Sequence, residues 1–326
     1  MRLHENAEDF NALILLASKK LGVLDLHVEK DYWVTFALKN LSKSALRKEV
    51  VFKGGTSLSK AHKLIHRFSE DIDLAVIVAK GAKSAAITRQ IKAIEDACSE
   101  GFEEIPQGED SRISKKGSFR KTVWKFPKII EGENYGDAGK HILIEVNSFT
   151  VPEPHQDMEI ESLIGQYLRS ESQNAEILEF ELEPFVIPVL RAERTFVEKI
   201  SALVKGSYVS QDGDYDLLAK NIRHFYDLSK LIDSCGRGVL SDKDQFVELL
   251  QRVKEDDRKM NGKLDWVDKP YKDAAIFNDF DRVWEKIGYA YKGSFRNMIY
   301  ANEKLPNDEK IKETILEIAK GLQDIE

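Results

Sequence analysis

Lys53-Gly54-Gly55-Thr56-Ser57-Leu58-Ser59-Lys60, followed by Ser69-Glu70-Asp71-Ile72-Asp73-Leu74, is the stretch on which the fold turns. The apolar pair Val51-Phe52 runs into two glycines and a hydroxyl pair, and a helix-like segment follows over 56–66. A strand-like run begins after Arg67 and carries both aspartates. Alternate residues of a strand share one face, so Asp71 and Asp73 point the same way while Ile72 turns into the core. Two parallel carboxylates beside a glycine-opened helix can hold Mg²⁺ against a triphosphate, the backbone N–H groups taking phosphate oxygens. Each half of this pattern is ordinary alone, since D-x-D pairs and Gly-Gly turns with a hydroxyl cap are common. The ordered compound of strand, Gly-Gly-Thr-Ser, helix and Asp-Ile-Asp strand is not.

Length and composition set the frame. The chain has 326 residues, 42% of them hydrophobic and 32% charged, enough for a full core in one large domain or two lobes. Membrane-spanning apolar runs are missing from the sequence, and the N-terminus lacks the apolar region of a signal peptide. Two cysteines, Cys98 and Cys235, cannot make a disulfide framework and fit a reducing cytoplasm. A net charge of −7 argues against a protein that coats nucleic acid, but not against an enzyme that touches RNA locally.

One segment runs against the acidic balance. Residues 111–128 contain seven Lys or Arg and no acid, with Phe119, Trp124 and Phe126 interleaved. A two-stranded β-ribbon with a basic solvent face is one reading. The other is a phosphate-docking strip for RNA, formed by Arg112, Lys115, Lys116, Arg120, Lys121 and Lys125.

Periodicity predicts helices over 6–22, 28–42 and 84–100, and strands over 49–53, 71–78 and 141–147. After Pro184 and Pro188 the β-rich patterning stops, and 191–204, 214–234, 241–255 and 308–324 all read as helices. The expectation is an α+β protein of two domains: a mixed α/β lobe over 1–188 and a helical lobe over 189–326. Within the strand Ile142-Leu143-Ile144-Glu145-Val146, a lone carboxylate interrupts an apolar run, which is costly unless it meets a cation or donor. His62 and His66 lack a third ligand at zinc spacing. There is no Walker A motif, which disfavours a P-loop NTPase.

Gly54 to Lys60 together with Arg67 to Leu74 resembles the first motif of the AbiEii/AbiGii toxin family, within the DNA polymerase β-type nucleotidyltransferase superfamily. Glu29-Lys30-Asp31-Tyr32-Trp33-Val34, Arg194-Thr195-Phe196-Val197-Glu198-Lys199-Ile200 and Arg223-His224-Phe225-Tyr226-Asp227-Leu228 resemble its other motifs, in order. The similarity spans roughly residues 29–232, and the last third of the chain carries no motif of that family.

The resemblance implies a polymerase β-like N-terminal lobe, an NTP substrate and Mg²⁺ or Mn²⁺ as cofactor. Asp71 and Asp73 would hold the metal, with Glu145 as the third carboxylate. Gly54, Gly55, Thr56, Ser57, Lys60 and Ser69 would seat the triphosphate, and Lys53 and Arg67 could add charge. Lys199 would neutralise the triphosphate, and Asp227 would either orient Lys199 or act as a base. It further implies a cytoplasmic toxin of a toxin–antitoxin or phage-defence system, monomeric when free. Such a toxin has a cognate antitoxin and blocks translation by adding NMP to an RNA acceptor, tRNA first among them. Two other readings stand beside it: nucleotide transfer onto protein, and a non-catalytic nucleotide- or RNA-binding regulator.

Overall fold

The computed structural model of the chain describes residues 1–69, 71–130, 141–210, 213–261 and 265–326. The chain forms two compact units, Met1–Leu190 with Tyr300–Glu303, and Arg191–Ile299 with Lys304–Glu326.

The first unit is α+β. In chain order it comprises α1 (Ala7–Leu21), α2 (Asp25–Lys43), β1 (Val50–Lys53), α3 (Gly54–Lys60), β2 (Asp71–Val76) and α4 (Ser84–Cys98). Four strands follow: β3 (Glu103–Glu104), β4 (Ser114–Lys116), β5 (Phe119–Lys125) and β6 (His141–Asn147). β7 (His155–Ile160), α5 (Leu163–Ser170), α6 (Asn174–Glu179) and β8 (Phe185–Leu190) complete it. The strands form one mixed sheet in the order β3-β5-β6-β2-β1-β8-β7, with β4 added to β5. The pairs β2–β6 and β1–β8 are parallel, and the others are antiparallel.

Strand alternation gives the sheet two unlike faces. Phe52, Ile72, Leu74, Ile144 and Val146 pack into the main core with Trp33 and Leu38 of α2 and with Ile91 and Ile94 of α4. Full burial of each such side chain contributes about 1.5–3 kcal/mol. The opposite face carries Lys53, Asp71, Asp73 and Glu145.

The helix expected over 56–66 stops at Lys60. Lys63 adopts a left-handed φ of 55°, and the amides of Ala61 and His62 both return to the Ser57 carbonyl, which closes the turn. His62 and His66 therefore lie outside the helix, and His62 Nε2 contacts the Leu190 carbonyl at 2.8 Å. That hydrogen bond gives His62 a structural role.

The second unit is helical: α7 (Ala192–Val209), α8 (Asp216–Lys220), α9 (Arg223–Leu231), α10 (Arg237–Ser241), α11 (Lys243–Asn261), α12 (Ala275–Asn278), α13 (Phe280–Lys292) and α14 (Asp308–Gln323). The single helix expected over 214–234 is broken, because Tyr215 enters with φ 56° and the Asn221 amide tightens onto the Leu217 and Leu218 carbonyls. A π turn, Ile232–Gly236, then joins α9 to α10. Gly236 is required there, since a Cβ would lie 2.9 Å from the buried Phe196 ring. Among the described residues no helix is long and apolar enough to cross a membrane.

Candidate active site

Register aligns the charged residues. Lys53 on β1 pairs with Asp73 on β2, Asp73 with Glu145 on β6, and Glu145 with Lys121 on β5. Cross-strand partners share a face, so the four form one row: cation, anion, anion, cation. Asp71 stands one pleat away on the same face, level with Leu143 and Val123. Those two apolar residues pack with Ile105 and Ile113 into a small separate cluster that borders the acids.

The carboxylates suit a cation. Burial, then repulsion from Glu145 and Asp71, pushes the Asp73 pKa up to about 7, against the pull of Lys53 and Lys121. Asp71 Oδ1 is buried with no hydrogen-bond partner. An anionic oxygen left so is expensive unless a ligand completes it. Among the described residues no three His, Cys, Asp or Glu side chains form a group that could hold a metal ion. Glu145 lies 3.5 Å from Lys121 rather than closing a cage with the aspartates. Mg²⁺ takes one or two carboxylates and fills its remaining positions with water and substrate phosphates, so Asp71 and Asp73 are the residues that would hold it.

The glycine turn is shaped by the same carboxylate. Gly54 has φ 77°, and a Cβ there would collide with Asp73 Oδ2. A Cβ on Gly55 would meet Arg67 Nη2 at 2.8 Å and Ser69 Oγ at 3.0 Å. Two bare backbone units therefore border Asp73, Arg67 and Ser69.

The neighbouring hydroxyls are occupied. Thr56 Oγ1 lies 2.5 Å from the Asp71 carbonyl and 3.0 Å from Ser69 Oγ, which fixes the start of β2 to α3. Ser57 donates to the Gly54 carbonyl at 2.9 Å. Both side chains are buried, so they brace the turn instead of offering hydroxyls to phosphate. Lys60 is likewise committed: it forms a buried ion pair of 2.5 Å with Asp31, whose other oxygen accepts from the Leu163 amide. The triphosphate role expected of Lys60 gives way to a strut between α2, α3 and α5.

In the helical unit, Lys199 of α7 donates to Asp227 of α9 at 2.6 Å, and both are buried. Glu198, one position before Lys199, pairs with Arg194 at 3.5 Å. His224 Nδ1 lies 3.4 Å from Lys199 Nζ. Burial, then the Lys199 charge, pushes the His224 pKa down to about 3, so His224 is a neutral acceptor.

The basic strip does not form one cationic face. Alternation along β5 puts Lys121 and Lys125 on the acidic-site side and Arg120 on the core side, where it pairs with Glu95 of α4. Arg112 pairs with Asp110 at 2.6 Å, Lys115 with Glu104, and Lys125 with Glu103 at 2.8 Å. Trp124 and Phe126 are absorbed by the core. Of the six cations, Lys116 alone is exposed with no acid partner among the described residues.

Sequence pattern names Lys121 only within the basic strip, not as the neighbour of Glu145, and it does not single out Phe149 or His224. The register of β5 on β6 brings in the first, and the spacing of His224 three residues before Asp227 is the available signal for the last.

Comparison with protein families matches residues 37–311 to the AbiEii nucleotidyl transferase toxin of type IV toxin–antitoxin systems. The match runs well past residue 232, so the C-terminal third belongs to the family domain although it carries no motif legible by eye. Comparison with curated proteins returns no match. Among solved structures, the nucleotidyltransferase toxin MenT4 of Mycobacterium tuberculosis aligns at 15% identity and TM-score 0.40, over 93% of this chain and 97% of that one.

Proposed function

The chain belongs to the AbiEii nucleotidyltransferase toxin family of type IV toxin–antitoxin systems, and we propose that it transfers NMP from an Mg²⁺- or Mn²⁺-bound NTP to the 3′ end of an RNA acceptor, tRNA first among them, so blocking translation. As a toxin of such a system it has an antitoxin partner. The observation that carries the reading is the Asp71–Asp73 pair, with a partnerless buried oxygen on Asp71 and the bare Gly54–Gly55 backbone against Asp73.

Asp71 and Asp73 hold the metal in this reading, and Glu145 supports them from the next strand. A divalent ion there would offset triphosphate charge and acidify the acceptor hydroxyl. Gly54 and Gly55 admit the triphosphate because no Cβ fills the space. Lys53, adjacent to Asp73 in the row, supplies positive charge on the glycine side. Lys199 is the cation that the family resemblance implies for neutralising the triphosphate, and within the helical unit it is held by Asp227 with the neutral His224 beside it. The 3′-hydroxyl oxygen bonds to the α-phosphorus, the bond to the β-phosphate oxygen breaks, and the hydroxyl proton passes to water.

The test incubates the protein with Mg²⁺, each of four α-labelled NTPs and total tRNA, and resolves RNA and protein on one gel. Label in the RNA band supports the reading and names the nucleotide. Label confined to the protein band replaces it with a protein-modifying transferase. Tight NTP binding with no transfer would leave a binding regulator.

A further inference from the structure

We propose that Phe119, Phe149, Lys116 and Lys121 form the subsite that grips the unpaired 3′-terminal nucleotide of the acceptor. This rests on the RNA reading above and adds how the acceptor strand is held. Phe119 pairs across the sheet with Asn147 on β6 and with Lys116 on β4, and Asn147 pairs with Ala75 on β2. That row lies one pleat from the Lys53–Asp73–Glu145–Lys121 row and on the same face.

The Phe119 ring stacks on Phe149, with centroids 6.1 Å apart and planes at 29°. Both rings are half-buried, whereas Trp124 and Phe126, the other aromatics of the basic segment, are core residues. Exposed Lys116 flanks the pair on the β4 side. Lys121 flanks it on the acidic-site side, reaching Glu145 at 3.5 Å. Diagonal neighbours across strands stand roughly 7–8 Å apart. The platform is therefore a short step from Glu145, and two cations bracket it.

A stacked aromatic pair with lysines at the neighbouring strand positions on both sides matches a base with a phosphate on either side. Paired bases have both faces covered within the helix stack, so the occupant is a single-stranded end. Lys53 and the glycine turn lie at the opposite end of the charged row. The row thus has an NTP side at β1 and an acceptor side at β5, with the carboxylates between them.

The experiment measures binding of a dye-labelled RNA hairpin with an unpaired 3′ tail, and of the same hairpin blunt-ended, without NTP. Wild type binds the tailed RNA about tenfold tighter, Phe119→Ala removes that preference, and Phe119→Trp retains it. Lys116→Gln and Lys121→Gln each lower the slope of log K against log salt by about 0.7. Lys92→Gln, on the surface of α4, changes nothing. Circular dichroism melts of each variant establish that it is folded. Equal wild-type binding of the two hairpins, or a full tail preference in folded Phe119→Ala, overturns the subsite. Wild-type label transfer to RNA with an unchanged acceptor KM in Phe119→Ala overturns it while leaving the RNA reading intact. Label on protein alone removes both.

Discussion

At the residue scale the site trades stability for charge. Asp73 sits beside Glu145 and Asp71 with its pKa raised by burial and repulsion. Asp73→Asn removes one of the clustered charges. It is expected to raise the thermal midpoint of the metal-free protein by about 1–3 °C while lowering transfer by about 10²-fold or more. Differential scanning fluorimetry and a labelled-NTP assay on one preparation check both halves. Lys199 makes the opposite prediction. Its removal takes the ammonium away from the buried Asp227 carboxylate, so Lys199→Met is expected to lose about 3–5 kcal/mol in urea unfolding. Lys199→Met combined with Asp227→Asn should recover most of that stability and none of the activity. Recovery of activity in the double variant would show that Lys199 is structural only.

At the element scale, local pattern was legible and cross-strand pairing was not. The D-x-D alternation on β2 and the lone Glu145 on β6 fixed which side chains face out, because a strand period of two is written in the sequence. What each charge meets depends on register and on distant segments. Lys60 finds Asp31, twenty-nine positions away, and Lys115, Arg120 and Lys125 find Glu104, Glu95 and Glu103. The strip that read as a continuous basic surface is therefore mostly internal ion pairs. Lys125→Gln breaks a solvent-exposed pair, so it should leave the urea midpoint and the RNA salt slope essentially unchanged. A slope reduced as much as in Lys116→Gln would restore the continuous strip. Helix ends escaped the sequence for a similar reason: Lys63 and Tyr215 adopt left-handed backbone that their residue types do not announce.

At the scale of the whole molecule, a buried histidine in one unit and a half-buried one in the other tie stability to pH. His27, stacked on Phe68 with centroids 4.0 Å apart, is pushed down to about 4 by burial and then by Lys30, and His224 is pushed down to about 3. Both stay neutral in the folded chain while the unfolded chain takes up protons below its ordinary value near 6.5. Their stabilisation is thus complete above about pH 6.5 and is lost as pH falls toward the folded values. Urea unfolding at pH 5 should show a loss of about 1–2 kcal/mol per histidine relative to pH 7. His27→Leu should flatten that slope. The central claim, that the aspartates of β2 and the glycine turn before α3 make this chain a nucleotidyltransferase, is tested most directly by single-turnover transfer of α-labelled NTP to tRNA with Mg²⁺, wild type beside folded Asp73→Asn. Label on the tRNA 3′ end with wild type and almost none with the variant is the predicted result. Equal labelling by the two proteins would contradict it.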